Sequence, residues 1–182
     1  MRITISGPPG SGKTTACSKL SEALGFEAVV FGKIFRELAA EKNLSLGELG
    51  AIAEKDPSID RMIDSRILEI ARAHSEIILE SRLSAYMLSR NGIPAFKILL
   101  DASPDVRMAR VGVREGETLE EATAKTVERQ NSEAKRYMKY YGIDINDFSV
   151  YDLILNTDNM TPDQVLETIL EKVREWDACQ RS

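Results

Sequence analysis

Residues that hold metals or build disulfides are scarce in this chain. Its 182 residues include two cysteines and one histidine. Cys17 and Cys179 have neither metal-ligand spacing nor partners enough for a disulfide framework. Cys17 is expected to be a small core residue. His74 follows a helical pattern at its end, where a cation is favoured. No apolar run approaches the ~20 residues of a membrane span, and the N-terminus passes straight into a strand pattern with no room for a signal peptide, so a cytoplasmic protein is expected. An excess of basic residues is also missing. Lysine plus arginine number 24 against 29 acids, a net charge of −5, so no overall field draws the chain to nucleic acid or an anionic membrane. Internal repeats and low-complexity tracts are absent, and the length suits one domain spanning 1–182.

The first fourteen residues carry the strongest signal. Arg2 to Ser6 reads as a strand and runs into Gly7-Pro8-Pro9-Gly10-Ser11-Gly12-Lys13-Thr14, a complete G-x-x-x-x-G-K-[ST] motif followed by Thr15. Ala16, Leu20, Ala23 and Leu24 then recur at helical spacing, so the loop lies between a strand and a helix. Glycines without Cβ reach positive φ and let successive backbone N–H groups converge on an anion. Lys13 places a charge beside the β- and γ-phosphates of a nucleotide such as ATP, Thr14 offers a hydroxyl to Mg²⁺, and the helix N-terminus adds its dipole.

The remaining pattern alternates short strands with helices. Glu27–Phe31 reads as a strand leading into a helix, Ser45 with Glu48 forms a capping box, and Pro57 to about Ala73 has one apolar stripe through Ile59, Met62, Ile63, Ile67 and Ile70. Ile77–Leu79, Ala95–Leu100 and Leu153–Leu155 are apolar without alternation, as in strands covered on both faces. They stop at Glu80, Asp101 and Asn156, which with Ser6 are expected along the carboxyl edge where parallel sheets bind ligands. Thr118 to about Tyr141 reads as helical with thin apolar content, and Pro162 to Trp176 as a closing amphipathic helix.

Charged residues fall at informative spacings. Arg107, Arg110 and Arg114 lie at i, i+3 and i+7 of one helix, and Arg129, Glu133 and Arg136 at i, i+4 and i+7 of the next, where Glu133 can hold either guanidinium. Like charges in a row repel, and phosphoryl transfer supplies a reason for them. Glu80 ends the strand expected beside the loop and is a metal-side candidate with Thr14. Arg36 and Arg82 also follow strand ends and can reach a second anion. Asp56, Asp60 and Asp64 repeat every four residues, either as a base-recognising or cation-facing surface or as capping and solvation; Asp60 and Asp64 are the substrate candidates among them.

These residues together resemble the nucleoside monophosphate kinases, most closely the archaeal-type cytidylate kinases. The likeness covers nearly the whole chain and is carried by residues 7–15, Gly32–Ala39, Ile78–Leu83, Glu133–Tyr137, Tyr141–Asp144 and Tyr151–Leu153. It implies an α/β fold of the P-loop NTPase type, three-layer α/β/α with a five-stranded parallel sheet and a small helical lid. The monophosphate-binding segment falls at about 32–73 and the lid within about 114–136. By the same resemblance Arg36 and Arg82 grip the acceptor, while Lys13, Arg110, Arg114, Arg129 and Arg136 surround the moving phosphoryl group. The implied reaction takes the γ-phosphoryl group of ATP to CMP, with dCMP as a further acceptor, in a monomer whose partners are small nucleotides. UMP or AMP as acceptor, and a P-loop switch acting on a protein or RNA, stay open. Ser81 stands where the family has glycine, and Phe31-Gly32-Lys33 differs too, which alters the shape and charge expected at the acceptor pocket's mouth.

Overall fold

A computed structural model describes residues 1–180. Five strands, β1 (Arg2–Ser6), β2 (Glu27–Val30), β3 (Ile77–Glu80), β4 (Phe96–Asp101) and β5 (Leu153–Asn156), pair in parallel in the order β2-β3-β1-β4-β5. Ile5 pairs with Glu80, Val30 with Glu80 and Asp101 with Asn156, so the strands' carboxyl ends share one edge as expected.

Among the described residues eight α-helices complete the layers: α1 (Lys13–Leu24), α2 (Phe31–Glu41), α3 (Leu46–Ala53), α4 (Pro57–Ala73), α5 (Ser84–Arg90), α6 (Pro104–Glu115), α7 (Leu119–Tyr141) and α8 (Pro162–Gln180). Alternation along β3 separates the two cores. Ile78 joins Ile3, Ile5, Ile98 and Leu100 against Leu20 of α1 and Ile169 and Val173 of α8. Ile77 and Leu79 face the other way, onto Ile63 and Ile67 of α4, Tyr86 and Leu88 of α5 and Tyr137 of α7. Cys17 is a core residue, its thiol pushed up to about 12 by burial, and His74 caps the C-terminus of α4.

Ser45 and Glu48 form the expected capping box, and Thr118 with Glu121 forms a second one that starts α7. Helix α5 has no counterpart in the sequence reading, because seven residues hold too few turns to display a periodicity. The thin apolar content of α7 has a structural reason. Its buried positions include Glu133 and Arg136, because that face lines a polar cavity.

Candidate active site

The phosphate loop leaves the central strand, and its shape follows from three glycines. Gly10 has φ +82° and lies so close to α6 that a Cβ there would sit 2.4 Å from the Arg107 carbonyl oxygen. Gly12, at φ +90°, has open space above it, so only its backbone conformation demands glycine. It is the N-cap of α1. Two of the loop's carbonyls are held from α6: Arg107 donates to Pro9 O (3.3 Å) and Arg110 to Gly10 O (3.2 Å), while Arg107 Nε is itself fixed on Ala102 O (3.1 Å) just past β4. Lys13 Nζ donates to Pro8 O at 2.9 Å. Burial pushes its ammonium down to about 7, against the opposing pull of Glu80.

One cavity of about 780 Å³ opens over the carboxyl edge of the sheet, within the size range of small-molecule sites. Loop residues from Pro9 to Thr15 form its floor, and seven cationic and five acidic side chains line it. Positive charge is thus concentrated over the loop in a chain whose net charge is −5. Because β2 and β5 are the sheet's two edges, the cavity has two ends. Phe31, Phe35, Arg36, Asp60 and Asp64 lie at the β2 end, and Thr157, Met160, Pro162 and Val165 at the β5 end.

The arginines do different things. Arg36 forms no hydrogen bond or ion pair with another described residue and lines the cavity. Arg82 Nε donates to Glu133 Oε2 at 3.2 Å, and Arg129 Nε to Glu133 Oε1 at 3.0 Å. Burial works to raise the Glu133 carboxyl, but Arg129, Arg82 and Arg136 together hold it below the usual range. Arg110 and Arg136 line the cavity as expected, yet their guanidinium groups already have protein partners. Arg110 bonds Thr157 Oγ1 (3.0 Å) and Thr157 O (2.8 Å) besides Gly10. Arg136, 3 % exposed, donates through Nη1 to Asp60 Oδ1 at 3.2 Å, its guanidinium 5.4 Å from the Phe35 ring centre. Arg114 sits at the rim against Glu115, while Arg107 is absent from the cavity wall because it braces the loop from outside.

The acidic line divides as well. Asp56 caps α4 through the Ser58 N–H and is exposed, which is the capping alternative. Asp60 and Asp64 turn into the cavity and are buried. Asp60 keeps Oδ2 buried and without a partner among the described residues. Asp64, accepting from the Tyr141 hydroxyl at 2.8 Å, is pushed up to about 7 by burial, with Asp60 adding repulsion.

Of the two departures expected from the resemblance, Ser81 uses its hydroxyl within the turn, accepting the Leu83 N–H at 3.1 Å. Lys33 contributes no charge to the pocket, for it faces outward on α2 and pairs with Glu37 at 3.6 Å. Sequence reasoning missed Thr157. Buried at 3 % exposure, its hydroxyl lies 3.2 Å from Ser11 O and 3.1 Å from Asp101 O, linking the loop to β4 and β5. The available signal was its place one residue past the carboxyl end of β5.

Glu80 and Thr14 meet where a divalent cation would accompany the phosphates, with Thr14 Oγ1 donating to Glu80 Oε2 at 3.0 Å. No group of three or more acidic, histidine or cysteine ligands occurs among the described residues. Two oxygens suit Mg²⁺, which keeps several waters and takes other ligands from the substrate.

A loop built to hold a triphosphate, facing guanidinium groups whose forks stay open, suits transfer between two anions. The class so defined is the P-loop phosphotransferases. Within it, residues 2–159 match the cytidylate kinase-like family. The chain is 44 % identical over 178 residues to a cytidylate kinase of Halobacterium salinarum, covering 98 % of this chain and 92 % of that one. It is 47 % identical over 169 residues to a cytidylate kinase of Methanocorpusculum labreanum, covering 93 % and 94 %. This chain belongs to the cytidylate kinase-like family. The shikimate kinase structure from Bacteroides thetaiotaomicron shares the fold, with a TM-score of 0.61 at 15 % identity over 96 % of this chain and 98 % of that one. So distant a likeness speaks for the scaffold, and the acceptor is set by the site built on it.

Proposed function

We propose that this enzyme transfers the γ-phosphoryl group of ATP to CMP, and also to dCMP, giving ADP and the corresponding diphosphate. The observation that carries the reading is that the phosphate loop faces Arg36, Arg82 and Arg129 across one cavity. The triphosphate lies along the loop. Its base takes the β5 end, against the apolar side chains of Met160, Pro162 and Val165. The acceptor enters from the β2 end, its phosphate against Arg36 and Arg82 and its base toward Asp60 and Asp64. An acceptor phosphate oxygen bonds to the γ-phosphorus while the bond to the β–γ bridging oxygen breaks, releasing ADP. Lys13, Arg129 and the rim arginine Arg114 neutralise charge on the moving group, and Arg110 and Arg136 hold the walls around it. Thr14 and Glu80 would hold Mg²⁺, which neutralises phosphate charge. The lid in this reading lies within about 114–136, which spans the end of α6 and much of α7, and excludes water. The enzyme is read as a cytoplasmic monomer without nucleic-acid or membrane partners; no helix among the described residues is long and apolar enough to cross a membrane.

The test is ADP release with CMP, dCMP, UMP and AMP offered separately. CMP is expected to give the highest kcat/KM, with dCMP next. Preference for UMP or AMP would move the reading to another acceptor. Activity with none, and slow hydrolysis stimulated by a protein or RNA, would favour the switch.

Proton linkage gives a second expectation. With its amine near 7 in the free enzyme, Lys13 is mostly neutral at pH 8, and a bound triphosphate raises its pKa by supplying negative charge. ATP binding at pH 8 should therefore take up about one proton. Titration calorimetry in buffers of different ionisation enthalpy measures the uptake, and proton release would contradict it.

A further inference from the structure

Arg82 and Arg129 come from different elements, 47 positions apart in the chain, yet one carboxylate holds both. Glu133 is 4 % exposed, and each of its oxygens accepts a single Nε–H, from Arg82 on one side and Arg129 on the other. The attachment point matters. A guanidinium gripped through Nε keeps both Nη groups free, and those form an edge that binds a phosphate in bidentate fashion. Among the described residues no partner takes the Nη atoms of Arg82 or Arg129, and none of these atoms is a buried orphan. Both residues line the cavity. Arg110 and Arg136 differ, since their Nη groups are bonded to Gly10, Thr157 and Asp60.

We infer that Glu133 is a positioning residue that ties Arg82 to Arg129 and holds both guanidinium forks toward the cavity before either substrate arrives. The inference rests on the reading that Arg82 grips the acceptor and Arg129 serves the transferring group. The two sides of the reaction are then set at a fixed spacing by α7, which also carries Arg129 four residues earlier on the same face. Loss of such a tether costs orientation more than attraction, because the positive charges remain. The burden therefore falls on kcat and leaves KM little changed.

The experiment compares Glu133→Gln, Glu133→Asp, Arg129→Ala and the Glu133→Gln/Arg129→Ala double variant in the ADP-release assay with CMP. Glu133→Gln is expected to lower kcat by about 100-fold with KM for both nucleotides within about threefold. Glu133→Asp keeps the charge but is one methylene too short to reach both arginines, so it should also lose kcat. In the Arg129→Ala background, Glu133→Gln should lower kcat by roughly tenfold or less, since only its hold on Arg82 remains to be lost. Near-normal kcat in Glu133→Asp would reduce the carboxylate to charge balance and overturn the inference. Fully multiplicative effects of Glu133→Gln and Arg129→Ala would overturn it too. Wild-type enzyme inactive with every monophosphate would overturn the functional reading, and the tether with it.

Discussion

Arg129→Ala is expected to lower kcat by roughly 10³-fold or more while the enzyme remains folded. The Arg129 side chain is partly buried beside the phosphate loop, gripped only through Nε, and points an unbonded fork into the cavity. Charge spreads over the equatorial oxygens as the phosphoryl group moves, and a preorganised guanidinium there lowers the barrier without costing reorganisation. Folding survives because Glu133 keeps Arg82 at 3.2 Å and stays beside Arg136, so no buried carboxylate is left without a counter-ion. KM for CMP should change little, since Arg36 and Arg82 remain. Steady-state kinetics at saturating nucleotide, with a urea melt of the same sample, decide the matter. A kcat within tenfold of wild type would remove Arg129 from the transfer step.

Arg136→Ala should instead cost stability, about 3–5 kcal/mol. Its guanidinium is enclosed by Phe35 and Tyr137 and paired with Asp60, itself 4 % exposed. Removing the cation leaves a buried carboxylate whose second oxygen already lacks a partner. In a protein of ordinary marginal stability this is a large fraction of the total. The pH dependence has a definite sign. Burial already raises the Asp60 pKa in the fold, against the pull of Arg136, and the variant raises it further. The unfolded chain ionises at the usual lower value, so the penalty is greatest at neutral pH and shrinks as pH falls and Asp60 enters the fold protonated. Urea midpoints at pH 7 and pH 5 measure the effect. Adding Asp60→Asn to Arg136→Ala should return part of the loss; an unchanged midpoint in the single variant would contradict the account.

These two arginines show where sequence reading succeeds and where it stops. Their spacing on one helix was plain at i and i+7, and so was the carboxylate between them. Spacing cannot say that the first keeps its fork free while the second is enclosed with an aspartate 76 residues away. Asp60 and Asp64 likewise repeat with Asp56, but only the packing of α4 turns two of them into the cavity and leaves the third as a cap. Thr157 escaped notice because a threonine in a turn carries no chemistry until Arg110, Ser11 and Asp101 surround it.

By itself the sequence determined the phosphate loop, the parallel sheet and the edge on which the site lies. Those are local consequences of glycine conformation, of the helix and strand periods, and of strands that stop at polar residues. Tertiary structure decided which guanidinium groups are free to bind substrate and which are already spent. A charge's role depends on the partner that the fold brings within hydrogen-bonding distance, and such partners come from elements far apart in the chain.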